Sequence, residues 1–489
     1  MHIFSTHRSE YQKTLYLFNI PIYTRKREKN RVKFYLFRIP IWKKIYDDGK
    51  VKHYFGGVRI GKFDSNKSLY NKDKSVPLYI CLSKISFKMN QRHLNKNEKL
   101  KIHFLYIADS YWPSWESIYN ACAKDENLDV KVIFLRTKGT QLYSSQYVEA
   151  EKFLKIRKIP YIEYQNYIPE EERPHVILYQ TPYNVNYDVF NKLRPDFITG
   201  LGIRIVYISY GIEYDKSINN EHIQNLHYTH KVHSLAWRLF VMHSDIKDGF
   251  YKYCPAGGFH IVVSGHPKFD CYVNNKFSLP NTLLEKANGR KIIAFQIHCY
   301  NDSDCIGEKR IHSIPFAEHL KIQQILSSYK KYFFVYTIHP AFKTRNISRG
   351  FCTSKDYFNF IKKIESSNNM CVYKGDHQTL LAEADAFITE NSSLMIEMGF
   401  FNKSVLYMYD RPIALKPFAE KLVSTFHHGH SHKDVVNFIE NIVFKHDDLL
   451  QKRALQRESI FPKSTYDGNI GLRIKQYIIK TVKEESSHL

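Results

Sequence analysis

ADAFITENSSLMIEMGFFNKSVLYMYD, Ala384 to Asp410, decides how the rest of the chain is read. Ala386-Phe387-Ile388-Thr389 is a short apolar run of the kind a buried parallel strand shows. The polar break Glu390-Asn391-Ser392-Ser393 follows it. Leu394, Ile396, Met398, Phe400 and Phe401 then sit in a segment of helical character that Gly399 and Asn402 would end. Ser404-Val405-Leu406-Tyr407-Met408 reads as a second strand. The order is strand, tight turn, helix, strand. The turn delivers two hydroxyls to a helix N-terminus, where free N–H groups favour an anion by about 0.3–1 kcal/mol. The same letters also suit a serine that caps an ordinary α/β crossover.

The pattern repeats on both sides of this stretch. Runs at 102–107, 130–135, 161–162, 176–179, 204–208 and 260–263 read as strands separated by helical or loop segments. After 281–289 the alternation restarts, with strands at 291–295, 333–337 and 370–373. Such alternation implies parallel sheets with right-handed crossovers. The expected fold class is α/β, two doubly wound Rossmann-type domains facing a cleft. Residues 100–280 form the N-terminal domain and 281–445 the C-terminal domain, with helices over 446–489 packing back. Ligands of such sheets sit beyond the carboxyl ends of the strands. Tyr210, His266, His298, His339 and Ser392-Ser393 all follow strands.

Composition bounds the rest. The chain has 489 residues, too many for one core. Its 43% hydrophobic content supports globular folding. The start, MHIFSTHRSEYQK, lacks the apolar centre of a signal peptide, and no run approaches the ~18 apolar residues of a spanning helix. Eight scattered cysteines without a CxxC pair suggest free thiols in a reducing cytoplasm. The net charge of +24 is uneven: residues 1–100 carry 23 Lys and Arg against 7 Asp and Glu. A positive end on a nearly neutral body calls for an anionic surface partner. No RNP motif, zinc-finger spacing or helix-turn-helix is present, so nucleic acid is not expected.

That positive end holds a repeat. Tyr16-Leu17-Phe18-Asn19-Ile20-Pro21-Ile22 recurs as Tyr35-Leu36-Phe37-Arg38-Ile39-Pro40-Ile41, and more weakly from Tyr54 to Ile60, with the tyrosines 19 residues apart. Aromatic and β-branched units with Lys/Arg-rich turns predict stacked hairpins over 1–63, a basic β-rich extension. Pro21 and Pro40 suggest edge or irregular strands. Aromatic rings beside cations suit an anionic membrane surface, which makes residues 1–100 the expected contact and the inner face of the cell membrane the expected location. A small solvated β appendage would look similar. Residues 64–99, rich in Lys and Asn, read as a linker around one apolar patch, Leu78-Tyr79-Ile80.

Seven segments together resemble the bacterial CDP-glycerol glycerophosphotransferase family. They are QTPY at 180–183, YISYGI at 207–212, SGHPKFD at 264–270, IAFQIHCY at 293–300, VYTIHPAF at 335–342, the stretch 384–408 and YDGNIGLR at 466–473. Each is loose alone, and their order and spacing carry the match over roughly 100–480. The resemblance implies a GT-B fold and a transferase of teichoic-acid, capsule or related polymer synthesis. It implies a nucleotide-diphosphate donor, CDP-glycerol, and a glycan or lipid-linked acceptor. His339 would bind the donor's phosphates, and Ser392 and Ser393, with Glu390 and Asn391 of the same turn, would hold the diphosphate. Many members carry a base histidine before a glycine after an N-terminal-domain strand. Here Tyr210 stands there, ahead of Gly211, and a tyrosine near pKa 10 is a poor base at neutral pH. His298 and His266 are the candidates for that role, and Asp109 and Gly211 lie on the acceptor side.

Two other readings accompany this one: a GT-B glycosyltransferase using a nucleotide sugar for lipopolysaccharide or capsule, and a non-catalytic membrane or glycan-binding adaptor. No cofactor or metal is expected. The cluster His427-His428-Gly429-His430-Ser431-His432 is too tightly spaced for a preformed four-ligand site, with no carboxylate or Cys beside it. Asp302-Ser303-Asp304 has the letters of a metal–diphosphate motif but sits in a polar loop.

Overall fold

Repetition in sequence becomes repetition in space at the N-terminal end. The computed structural model describes residues 4–64, apart from the connections 9–11, 18–19, 29–30, 37–38, 48–49 and 56–57, and residues 78–487, apart from 137–145, 183–190, 216–227, 299–302, 306–307 and 311–312. Residues Met1–Ser75 and Val76–Leu489 are separate compact units. In the first, seven antiparallel strands pair strictly in chain order. The ladder shifts register just before each repeated tyrosine, between Leu15 and Tyr16, Phe34 and Tyr35, and His53 and Tyr54. Tyr16 then faces Pro21, and Tyr35 faces Pro40. The prolines therefore lie in internal strands, not edges. The irregularity tolerates them where an unbroken ladder would lose a hydrogen bond.

The second unit holds the two predicted sheets. In the first, all strands are parallel, in the order Tyr161–Glu163, Leu128–Phe134, Leu100–Tyr106, Val176–Tyr179, Arg204–Ile208, Arg238–Val241, Ile261–Val263. In the second the order is Met370–Val372, Tyr332–Ile338, Lys291–Ile297, Ala386–Thr389, Ser404–Met408, His427–Gly429, again parallel. Helices on both faces bury the strands throughout: every residue of Val176–Tyr179, Arg204–Ile208 and Ala386–Thr389 is buried, most of them apolar.

Each sheet starts in its middle and winds outward both ways. The direction of winding reverses between Leu100–Tyr106 and Val176–Tyr179 in the first, and between Lys291–Ile297 and Ala386–Thr389 in the second. At such a switch point the two flanking loops diverge and leave a crevice. The loops are those that begin near Asp109 and Gln180, and near His298 and Glu390.

Two connections differ from expectation. Residues 64–99 are not a linker throughout, because Leu78–Asn90 is a helix. It packs on the first domain, with Ile80 fully buried and Asn90 Nδ2 donating to Gly200 O at 2.8 Å. At the other end, the helix Ile470–Ser487 returns to the first domain on a stripe of Ile470, Ile474, Ile478 and Val482. Asp270 caps its start, accepting from Ile470 N at 3.0 Å and Gly471 N at 2.8 Å. Near its end, Glu485 accepts from the buried Arg204 and from Trp237, at 2.9 and 2.8 Å. Among the described residues no helix is long and apolar enough to cross a membrane.

Candidate active-site cleft

Both switch points are tied by one buried polar side chain. In the first domain Gln180, 0% exposed, donates from Nε2 to Tyr111 O and Ser114 Oγ, each at 2.9 Å. Tyr210 N donates to Gln180 O at 3.0 Å. The loop after the third strand of this crevice is thereby locked to the first two. Tyr210 itself stacks flat on Tyr111, with ring centroids 4.0 Å apart. Tyr183 lies outside the described residues.

In the second domain the equivalent tie is Glu390. Its Oε2 accepts from His298 N at 2.7 Å and its Oε1 from Ile314 N at 2.9 Å. The carboxylate is 0% exposed. It therefore holds the loop that carries His298. What it positions is a pair of imidazoles: the His298 and His339 rings lie 4.6 Å apart. His339 Nδ1 accepts from Ala341 N at 3.1 Å, which leaves the proton of the neutral ring on Nε2. Burial lowers this imidazole to about 4, with Arg345 and His377 adding to the shift. At neutral pH His339 is thus an uncharged hydrogen-bond donor.

The turn that follows Thr389 faces the other domain. Asn391 Oδ1 accepts from Tyr214 OH at 2.9 Å. A Cβ placed on Gly211 would lie 3.8 Å from Ser393 Oγ. Ser392 Oγ accepts from Leu394 N at 3.2 Å, so this hydroxyl caps the helix. That helix is one short turn and a half, Leu394–Met398, ended at Gly399.

His266 is held by backbone on both sides of its ring. Its Nδ1 accepts from Lys268 N at 3.2 Å and its Nε2 faces Ser209 O at 2.9 Å. Both nitrogens are occupied by backbone, and burial lowers the ring to about 3. It fixes the start of the Ser209–Gly211 loop instead. The metal reading of the histidine cluster also changes its reasons. The fold brings Asp447 and Asp448 to His427, carboxylates that the sequence does not place there. Asp447 accepts from His427 Nε2, Leu449 N, Ser404 Oγ and Arg453. Burial opposes its ionisation, but His427, Ser404 and Arg453 together hold its carboxyl below the usual range. Four donors use its four lone pairs. Ser303–Cys305 pairs with Glu308–Arg310 as a short hairpin, and Asp302 lies outside the described residues.

Three groups near the line where the domains meet were not singled out by sequence. His377 follows the strand Met370–Val372, and Asp109 of the first domain is close enough to favour its protonation, although burial dominates and lowers its pKa. Lys416 bridges domains, its N donating to Tyr214 O at 2.8 Å and its Nζ to Asp215 O. Glu213 lies between Gly211 and Tyr214. Only its position after a strand, shared with many residues, could have marked it.

A further contact closes the domains. Lys268 Nζ lies 3.0 Å from Glu397 Oε1, and Tyr272 OH donates to Glu397 Oε2 at 2.7 Å. Lys268 and Glu397 are 7% and 1% exposed. Lys268 comes from the SGHPKFD segment of the first domain and Glu397 from the helix after the Ser392-Ser393 turn.

No family model and no curated protein matches the chain. Solved structures do. A protein of Listeria monocytogenes assigned as a UDP-N-acetylglucosamine 2-epimerase aligns over 79% of this chain and 97% of its own, at 13% identity and a TM-score of 0.52. The UDP-N-acetylglucosamine 2-epimerase of Neisseria meningitidis, bound to UDP-N-acetylglucosamine, covers 78% and 100% at 13% identity, with a TM-score of 0.48. The wall teichoic acid polymerase TagF covers 83% and 94% at 13% identity, also with a TM-score of 0.48. At these identities the likeness is one of fold. The second unit has the two-domain GT-B architecture.

Proposed function

We propose that the cleft transfers glycerol phosphate from CDP-glycerol to a hydroxyl of a bacterial surface polysaccharide or its lipid-linked precursor. The observation that carries this reading is the junction at Asn391. The turn expected to hold the donor's diphosphate meets, through Tyr214 OH at 2.9 Å, the loop expected to face the acceptor. Beside that turn, Glu390 anchors the loop that carries His298, whose ring pairs with that of His339. Phosphoryl transfer asks a protein mainly for positioning and for neutralising charge on the leaving phosphate. His339 Nε2–H and the hydroxyls of Ser392 and Ser393 are suited to that task. No metal is required by these groups.

A second reading, sugar transfer from a nucleotide sugar, is favoured by one feature. Tyr210, stacked on Tyr111, replaces a base by an aromatic platform. Offering the chain CDP-glycerol and a panel of UDP-, GDP- and CMP-sugars, and reading release of free nucleotide, separates the two.

The basic first unit is proposed to hold the enzyme on anionic lipid at the inner membrane face, at about 1 kcal/mol per engaged Lys or Arg. The full chain is expected to sediment with anionic vesicles at low salt, and a chain beginning at Val76 to stay in the supernatant. Equal sedimentation of the two would contradict the assignment.

A further inference from the structure

The expected histidine base is absent, and the two imidazoles offered in its place serve elsewhere. His266 is locked by backbone on both nitrogens. His298 belongs to the donor domain, beside His339. A base for the acceptor should stand on the first domain, in the loop that meets the donor turn.

That loop runs from Ser209 to Asp215, beyond the carboxyl end of the strand Arg204–Ile208. It touches the second domain on both sides of Glu213. Before it, Gly211 approaches Ser393. After it, Tyr214 OH reaches Asn391, Tyr214 O accepts from Lys416 N, and Asp215 pairs with Leu415 in an antiparallel bridge. Glu213 is held between these contacts, at the line where the domains meet. Among the described residues its carboxylate makes no hydrogen bond or ion pair. The residue as a whole is half-buried.

We propose that Glu213 is the general base of this cleft, taking the proton of the acceptor hydroxyl. The inference rests on the transferase reading above. In that reaction the acceptor oxygen forms a bond to the phosphorus that bears glycerol. The bridging P–O bond to CMP breaks, its electron pair stays on the CMP oxygen, and the acceptor proton passes to the Glu213 carboxylate and then to water.

The charged surroundings fit. Burial raises the Glu213 carboxyl to about 7, Lys416 opposes that shift and Asp215 adds to it. Tyr228 faces Glu213 and Asp215, and Tyr253 and Asp245 also face Tyr228. Lys416 is drawn off by Asp215 O and lies 5.4 Å from the Tyr228 ring centroid, and Asp245 is occupied by Phe418 N at 2.7 Å. A base poised near the working pH is the most effective kind. The sign follows: a raised carboxyl pKa means the active carboxylate accumulates as pH rises through about 7.

The test uses the full chain and its Glu213→Gln variant, with CDP-glycerol and deacylated glycan, reading CMP release from pH 5.5 to 8.5 and donor affinity by calorimetry. The expected result is a wild-type rate that rises through pH 7, a variant roughly 100-fold slower without that rise, and affinity for CDP-glycerol within threefold. A variant with the wild-type rate and pH profile overturns the assignment. So does a variant that loses rate together with donor affinity, since that is the mark of a structural role. Wild-type chain that releases nucleotide only from a sugar donor overturns the CDP-glycerol reading alone, and the same pH comparison with that donor then decides Glu213. Wild-type chain that turns over no donor overturns both.

Discussion

His339→Ala is expected to lower CMP release from CDP-glycerol by roughly 100-fold or more, in a protein that still folds. The ring is well placed for such an effect. It follows the strand Tyr332–Ile338 at its carboxyl end, its Nδ1 is held by Ala341 N, and its backbone N donates to Ile297 O at 3.0 Å. Nε2–H is the group left to meet a phosphate oxygen. Because the imidazole is lowered to about 4, it remains neutral from pH 6 to 8 and its contribution is that of a fixed hydrogen bond. His339→Gln, which restores an N–H donor, is expected to recover part of the loss. Initial-rate measurements decide this, and an alanine variant within threefold of wild type would remove His339 from the site.

Lys268→Met is expected to destabilise the second unit by about 3–5 kcal/mol, because it leaves the Glu397 carboxylate buried without its counter-ion. Tyr272 alone cannot replace a charge. The pair also sits where the domains join, so the loss acts on the spacing of the cleft as well as on stability. Lys268→Met combined with Glu397→Leu removes both charges and is expected to recover most of the loss. Urea midpoints of the two variants check this. A single variant that costs less than about 1 kcal/mol would mean the pair is no more than a surface contact.

The stretch from Ala384 to Asp410 was legible because parallel strands buried on both faces leave short apolar runs between turn residues. Ala386–Thr389 and Ser404–Met408 appear in the structure with the bounds read from sequence, as do Val176–Tyr179 and Arg204–Ile208. The helix Leu78–Asn90 was hidden because it stands inside a Lys- and Asn-rich segment, although most of its own residues are apolar and Ile80 is fully buried. The strand Arg238–Val241 was missed, although it is as short as Val176–Tyr179 and opens on arginine as Arg204–Ile208 does. His427–Gly429 becomes a strand only through its pairing with Leu406–Met408.

Site residues divided along the same line. His339 and Asn391 stand out as candidates in the sequence because they follow strands, and the winding of the sheets brings strand ends together. The roles of Glu390 and His266 could not, since a buried acceptor of backbone N–H groups and an exposed ligand contact use the same letters. Glu213, His377 and Lys416 carry no local mark. Their surroundings come from the other domain: Lys416 faces Glu213, Asp109 faces His377, and Asp215 O accepts from Lys416 Nζ.

The donor specificity of the cleft is tested most directly by offering the full chain the donor panel, with membranes or deacylated glycan as acceptor. CMP release from CDP-glycerol is expected well above that of any nucleotide from UDP-, GDP- or CMP-sugars. Turnover of a nucleotide sugar with no response to CDP-glycerol would contradict the CDP-glycerol reading.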